Sequence, residues 1–344
     1  MILKNAIALM SAFGLILGLC AFSDKQQVGP KQPQSVDPKA GLYKCEQGSW
    51  PVTSVKTIKL YNPDQKRDLA LNIVYPSSGG GKFPVIIWSH GAFGSREAYD
   101  PLATFWASHG YIVIRPTHMD STQNGTVPSL KNAFAFREWD VRPAEISLII
   151  SRLTQIEREA PGLSGHLKRD AIGMGGHSYG AHTAELLAGA LAKNRFSISG
   201  QRQAFSDDRI SAFMMVSPSG PDGVFNRDSF SRIKRPVLAV TGDNDAIGRT
   251  KQPPSWRREA WTLMPAGDKY FLWIANAYHG FGGISGGHRW KGAGPANSRQ
   301  VDYVRCSGLA FWDAYLKGQM GGYDYLHGED LKNATQGAAQ LEFK

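Results

Sequence analysis

Cysteine is scarce in this sequence. Cys20, Cys45 and Cys306 are the only three among 344 residues, and no two stand at zinc-site spacing. His118 and His288 also lack a partner at ligand spacing, so no metal site is expected. Other signatures are missing as well. There is no glycine-rich dinucleotide fingerprint, no nucleic-acid-binding motif and no internal repeat, which argues against a nucleotide cofactor, a nucleic-acid partner and a solenoid. The 39 basic residues outnumber the 29 acidic ones for a formal charge of +10. They are scattered, so they read as a cationic soluble surface. Hydrophobic residues make up 42% of the chain, enough for a sizeable core and too many for disorder.

Residues 1–23 read as a signal peptide. Lys4 supplies the positive start, Ala6 to Phe22 is nearly all apolar, and Ala21-Phe22-Ser23 offers a small-x-small cleavage site. Secretion or a periplasmic location follows. Leu17-Gly18-Leu19-Cys20 faintly resembles a bacterial lipoprotein box, although the leucine before the cysteine argues against it. Lipidation at Cys20 is therefore the alternative, with attachment to the membrane of the cell envelope. Export would leave Cys45 and Cys306, for which one pairing exists. That bridge would tie the N-terminal arm to the last helix; two unpaired thiols are the other reading.

Residues 24–48 are polar and proline-bearing and read as a linker. Two strands are expected at Val55–Leu60 and Leu69–Tyr75, joined by a turn at Asn62-Pro63-Asp64; alternation makes the second half-exposed. Phe83–Ser89 is apolar throughout, as in a buried parallel strand. A helix (Tyr99 to Ser108) and a strand (Tyr111 to Ile114) follow. Residues 120–136 are irregular. A helix begins at Pro143, with Ile146, Ile149, Ile150, Leu153 and Ile156 at helical spacing. Further strands are expected at 170–176, 210–216, 236–241 and 270–274. Residues 280–294 form a glycine-rich loop, about Val301 to Leu316 a closing amphipathic helix, and 321–344 a loose tail. Alternating strands and helices predict one α/β catalytic domain over 49–320. Its mostly parallel central sheet would have about eight strands, with helices on both faces.

The chemistry centres on Gly176-His177-Ser178-Tyr179-Gly180. A short apolar run leads into it and a helix-forming segment leaves it at once, which is the strand–turn–helix of a nucleophile elbow with Ser178 at the apex. A serine hydroxyl needs a base and an orienting carboxylate. Past the strand at 236–241 stand Asp243 and Asp245. Asp243 lies nearer the strand, where an aspartate commonly caps the turn, so Asp245 is the expected acid. Past the strand at 270–274 stands His279, the expected base, with His288 in reserve. His177 is expected to brace the elbow and His182 to pack. The oxyanion would be met by the amides of Ala92, in His90-Gly91-Ala92, and of Tyr179. Phe93 and Tyr179 would form an apolar cleft that binds substrate, with Trp256, Trp261 or Trp290 either contributing or packing elsewhere.

These stretches resemble the α/β-hydrolase superfamily in series: Ser89-His90-Gly91-Ala92-Phe93-Gly94-Ser95, Ala107-Ser108-His109-Gly110-Tyr111, Arg142-Pro143-Ala144-Glu145-Ile146, the elbow, and Gly242-Asp243-Asn244-Asp245. Within it the likeness is to the serine esterase branch with platelet-activating-factor acetylhydrolases, dienelactone-hydrolase-like proteins and cutinase-type polyester hydrolases. Ala310–Gly318 is similar to that branch's last helix. The resemblance covers roughly residues 50–320. It implies a carboxylic-ester hydrolase with a Ser178–His279–Asp245 triad, an acyl-enzyme intermediate and a small-molecule or polymeric ester as substrate; with the leader and the missing cofactor motifs, a secreted enzyme without a cofactor is expected, and a monomer. True dienelactone hydrolases carry a cysteine where this chain has Ser178. The loops at 120–141 and 280–300 depart from the pattern, so the substrate does not transfer. The competing readings are an acetylhydrolase or lipase, a polyester hydrolase, a peptidase or amidase, and a non-catalytic binding protein. Peptidases of this fold usually carry a large extra domain, for which the length leaves no room.

Overall fold

The computed structural model describes residues 40–125, 139–160, 162–194, 201–246, 252–287, 290 and 292–344. The expected signal peptide, residues 24–39 of the expected linker, His288 and most of the 120–141 loop lie outside these. The described chain opens with strands β1 (Val52–Val55), β2 (Lys59–Asn62), β3 (Arg67–Pro76) and β4 (Phe83–Ser89), then α1 (Asp100–Ser108) and β5 (Ile112–Pro116). Helices α2 (Val141–Ser151) and α3 (Leu153–Glu159) lead to β6 (Leu167–His177), which turns directly into α4 (Tyr179–Ala188). Two minor strands, β7 (Ala192–Lys193) and β8 (Arg202–Gln203), pair only with each other. Then come β9 (Ala212–Val216), β10 (Val237–Asn244), α5 (Pro254–Leu263), β11 (Lys269–Tyr278), α6 (Ser298–Lys317), α7 (Met320–His327), α8 (Asp330–Ala334) and β12 (Ala339–Phe343).

The main sheet runs β1-β3-β5-β4-β6-β9-β10-β11-β12, with β2 added on β3, which makes ten strands. The middle is parallel from β5 through β11, and both edges are antiparallel. The expected eight strands become ten for two reasons. The first apolar stretch divides into β1 and β2, and β12 closes the far edge. All seven residues of β4 are buried, and their alternation feeds two cores. Val85 and Ile87 pack with Ile146, Ile149 and Leu186 on one face; Ile86 and Trp88 pack with Leu102, Trp106 and Trp312 on the other. A strand covered on both faces reads as a continuous apolar run.

Three expectations are corrected. β3 is not half-exposed: Leu71, Ile73 and Tyr75 join one core, Val74 the other, and Asn72 is buried with its amide donating to the Arg96 carbonyl. Residues 40–48 are not linker. Leu42 and Cys45 are buried, Cys45 is disulfide-bonded to Cys306 in α6, and the Gly48 amide donates to Ser108 Oγ. Residues 321–344 are not a loose tail. Tyr325, Leu326 and Leu331 are buried in the α6 core, and β12 pairs with β11 over five residues. Sparse apolar residues hid these segments, because each borrows a core face that the main domain leaves open.

The parallel register sets the ends of the strands side by side. Ser89 pairs with Gly176 and His177 with Val216. Strands β4, β6, β9, β10 and β11 therefore deliver their C-terminal loops to one edge, where open α/β sheets bind ligands.

Candidate active site

Ser178 sits between β6 and α4 at φ 57°, ψ −115°, a strained left-handed conformation for a residue with a side chain. The residues two positions to either side, Gly176 and Gly180, must be glycine. A Cβ on Gly180 would stand 2.0 Å from the Ser89 carbonyl oxygen, and one on Gly176 would stand 2.5 Å from the Gly180 backbone. The Ser178 amide still bonds to the Val216 carbonyl at 2.9 Å, so the sheet fixes the apex while the strain turns its side chain outward.

The three distant residues come together. His279 Nε2 is 2.9 Å from Ser178 Oγ, and its Nδ1 is 2.6 Å from Asp245 Oδ1. Asp245 has no solvent exposure and His279 is 6% exposed. Burial alone would raise the Asp245 carboxyl, yet it is held well below the usual carboxylate range. Arg257 lies 3.2 Å from Oδ2, and His279 and Ser217 bond to the charged form. Ser217 Oγ donates to both carboxylate oxygens, at 2.8 and 2.7 Å, and Thr241 Oγ1 donates to Oδ2 at 2.8 Å. Asp243 does something else: it accepts from Trp273 Nε1 and from the Asn276 amide. This ties β10 to β11, as a turn cap should.

His177 links three loops. The Gly91 amide donates to the Tyr99 hydroxyl, Tyr99 lies 2.9 Å from His177 Nδ1, and His177 Nε2 lies 2.7 Å from the His279 carbonyl. One assignment satisfies all three: Tyr99 O–H donates to Nδ1 and Nε2–H donates to the carbonyl. Burial holds this imidazole neutral, well below its ordinary range. His182 is buried against Phe225, ring centroids 4.6 Å apart.

The loop after β4 rests on a buried ion pair. Arg142, from α2, bonds bidentately to Asp120 at 2.9 and 2.8 Å, and also donates to the His90 and Gly91 carbonyls. Asp120 accepts the Phe93 amide at 3.0 Å, with Phe93 at φ 63°. Burial would raise the Asp120 carboxyl; Arg142 overrides this and brings it down to about 2. Beneath the loop, Ser89 Oγ lies 2.8 Å from His118 Nε2, and His118 Nδ1 lies 2.6 Å from Glu145 Oε2.

Ala92, Phe93 and Tyr179 all lie where the β4 loop meets the elbow. Of the tryptophans, only Trp290 stands beside the trio, its ring centroid 6.2 Å from His279 and its side chain 40% exposed. Trp261 packs in the core on Phe271, and Trp256 donates to the Pro221 carbonyl. The one grouping of metal-ligating residue types among the described residues is Cys45, Asp302 and Cys306. Its two sulfurs are bonded to each other.

Known proteins resemble parts of this chain. The family described as Chlorophyllase matches residues 35–203, which span the β4 loop and the elbow. Platelet-activating factor acetylhydrolase of Cavia porcellus is 28% identical over 31% of this chain and 32% of its own length. The chain thus spans about a third of the curated relative it matches. The family match covers the strand–serine–helix turn and agrees with the parallel sheet around it. The fold is that of the α/β hydrolases. The resemblance to the serine esterases of that superfamily stands with it.

Within the α/β-hydrolase frame, sequence reasoning missed Ser217, Thr241, Arg257, Asp120 and Tyr99. Ser217 carried a usable signal, since it follows β9 directly, the position Ser178 holds after β6. Arg257 carried none. Its donation to the carbonyls of Asp245, Ser217 and Pro218 exists only once α5 has docked.

Proposed function

We propose that the protein is an exported serine hydrolase of carboxylic esters. Ser178 is the nucleophile, His279 the base and Asp245 the acid, and the amides of Ala92 and Tyr179 form the oxyanion hole. Ser178 Oγ attacks the ester carbonyl while its proton passes to His279 Nε2. The negative oxygen is met by the two amides, with the α4 N-terminus behind Tyr179. Collapse breaks the C–O bond, and the proton on His279 leaves with the alcohol. Water then attacks the acyl-enzyme, gives its proton to His279, and the acid departs as Ser178 recovers its hydrogen. Asp245 stays ionised throughout, holds the Nδ1–H tautomer and offsets the imidazolium charge.

The observation that carries this reading is the unbroken line Ser178–His279–Asp245 at 2.9 and 2.6 Å on a strained elbow. Acetyl and other short acyl groups are the first substrates to try, since the relative is an acetylhydrolase by name. Lipid and polyester substrates are the alternatives, with Phe93 and the exposed Trp290 as binding surfaces. Export is supported by the leader-like residues 1–23 and by the Cys45–Cys306 bridge, a bond that persists in oxidising compartments.

The test is hydrolysis of p-nitrophenyl esters of increasing acyl length, with fluorophosphonate labelling, by wild type and Ser178→Ala. Saturable turnover and labelling that both vanish in the variant support the proposal. Equal rates in the two proteins remove the nucleophile. Turnover of peptide anilides in preference to esters would move the activity to the amidase class.

A further inference from the structure

We propose that Arg142 and Asp120 are positioning residues that hold the two halves of the oxyanion hole in register; this rests on the serine-hydrolase reading above. Arg142 is 2% exposed and comes from α2, far in sequence from both halves. It grips the β4 loop through the His90 carbonyl at 2.6 Å and the Gly91 carbonyl at 3.3 Å, the latter in the same peptide unit as the Ala92 amide. Its guanidinium also lies over the Tyr179 ring, 4.3 Å from the centroid. One planar cation therefore touches the residues that bear, or adjoin, both proposed donors.

Asp120 completes the clamp. It takes two bonds from Arg142 and, with the same carboxylate, the Phe93 amide at 3.0 Å. That bond holds Phe93 in its left-handed conformation and commits its amide to the protein, so that the loop presents Ala92 rather than Phe93. Neither charged side chain touches the reacting atoms. They act by fixing where two amides point, which matters because an oxyanion donor works only at hydrogen-bond distance from the place where charge develops. A lysine could supply the charge at 142 but not the fork that reaches two carbonyls and a carboxylate together.

The experiment compares wild type, Arg142→Lys and Asp120→Asn, the second retaining shape and an acceptor for the Phe93 amide should the first fold poorly. Three readouts are expected to move together. For p-nitrophenyl acetate, kcat falls about 10- to 100-fold, less than the loss of a whole donor, while KM stays within about threefold. Affinity for a boronic acid, which forms a tetrahedral adduct on Ser178, weakens by a similar factor. Deuterium exchange rises in peptides covering residues 89–95 and 179, while the thermal midpoint shows the rest of the fold intact. Unchanged exchange at 89–95 in both folded variants overturns the clamp, whether or not the protein cleaves esters. A change confined to KM, or a rate loss that only tracks the folded fraction, overturns it too. Absence of Ser178-dependent turnover in wild type sinks the hydrolase reading instead and leaves the exchange result to decide the clamp.

Discussion

Two serine–histidine–carboxyl trios lie within this one site region, and their bond lengths are nearly alike. Ser178–His279–Asp245 is joined at 2.9 and 2.6 Å, and Ser89–His118–Glu145 at 2.8 and 2.6 Å. Geometry of the contacts alone does not separate them; the surroundings do. Ser178 is partly exposed on a strained turn, whereas Ser89 closes an ordinary strand with no exposure at all. Asp245 has Arg257 against it and three side chains donating to it, and stays ionised. Glu145 faces His118, which burial holds neutral, and burial pushes Glu145 itself up to about 8. The first trio ends in an ionised carboxylate and, at Ser178, reaches the surface. The second is a buried polar knot that holds up the loop above it: Arg142 donates to its Ser89 Oγ at 3.2 Å, but burial outweighs the nearby arginines at Glu145 and keeps it protonated.

The sharpest way to break this distinction is to remove each serine in turn. Ser178→Ala is expected to lower kcat for p-nitrophenyl esters by at least about 10^4-fold with no loss of thermal stability. Ser89→Ala is expected to leave kcat within about threefold while lowering stability by about 1–2 kcal/mol, the usual effect of breaking a buried hydrogen bond. Comparable rate losses in both would mean that the buried trio takes part in the chemistry. The acids follow. Asp245→Asn should cost about 10^4-fold in kcat, because an amide cannot stabilise the imidazolium and favours the wrong tautomer. Glu145→Gln, which swaps one neutral hydrogen-bonding group for another, should cost less than about tenfold.

The same pair can be told apart by stability against pH. Glu145 keeps its proton in the folded protein up to about 8, while the unfolded chain releases it near the ordinary carboxyl value of 4.5. Folding is therefore weakened as pH rises between those limits, and the effect levels off above them. Glu145→Gln removes that loss. Urea melts at pH 5.5 and pH 8 should show the variant gaining on wild type by about 3 kcal/mol at the higher pH. A variant that instead falls further behind at pH 8 would show Glu145 to be ionised, as Asp245 is.

The meeting of Ser178, His279 and Asp245 was legible in the sequence because each sits beside a local signal: glycines around Ser178, and a strand end at Asp245 and His279. Even the choice of Asp245 over Asp243 could be reasoned from turn chemistry, and Asp243 does bind Trp273 and the turn at Asn276. What surrounds the trio was not legible. Arg142 and Arg257 reach their partners only through tertiary packing, so no spacing announces them, and Ser217 is marked only by its place just past β9. The C-terminal segment misled for a physical reason. Met320-Gly321-Gly322 reads as a loose end, yet a Cβ on Gly322 would meet the Ala310 carbonyl oxygen at 2.4 Å. That glycine lets α7 close onto α6, and the chain then runs on to β12.

The smallest expected effect probes how much of the contrast rests on any single bond to Asp245. Thr241 Oγ1 donates to Oδ2 at 2.8 Å, and valine has nearly its shape without the hydroxyl. Thr241→Val removes one donor and leaves Ser217 bonded to the same oxygen and Arg257 3.2 Å from it. The carboxylate therefore keeps its charge and its hold on His279. One hydrogen bond among several to a charged group contributes about 1 kcal/mol here, which corresponds to about a fivefold loss in kcat. KM should not change, because Thr241 is fully buried behind Asp245. A loss of 10^3-fold would show that Asp245 depends on this one hydroxyl, and that its environment is as fragile as the one around Glu145. A change within twofold would show that Ser217 and Arg257 suffice, and would place the difference between the two trios on the arginine.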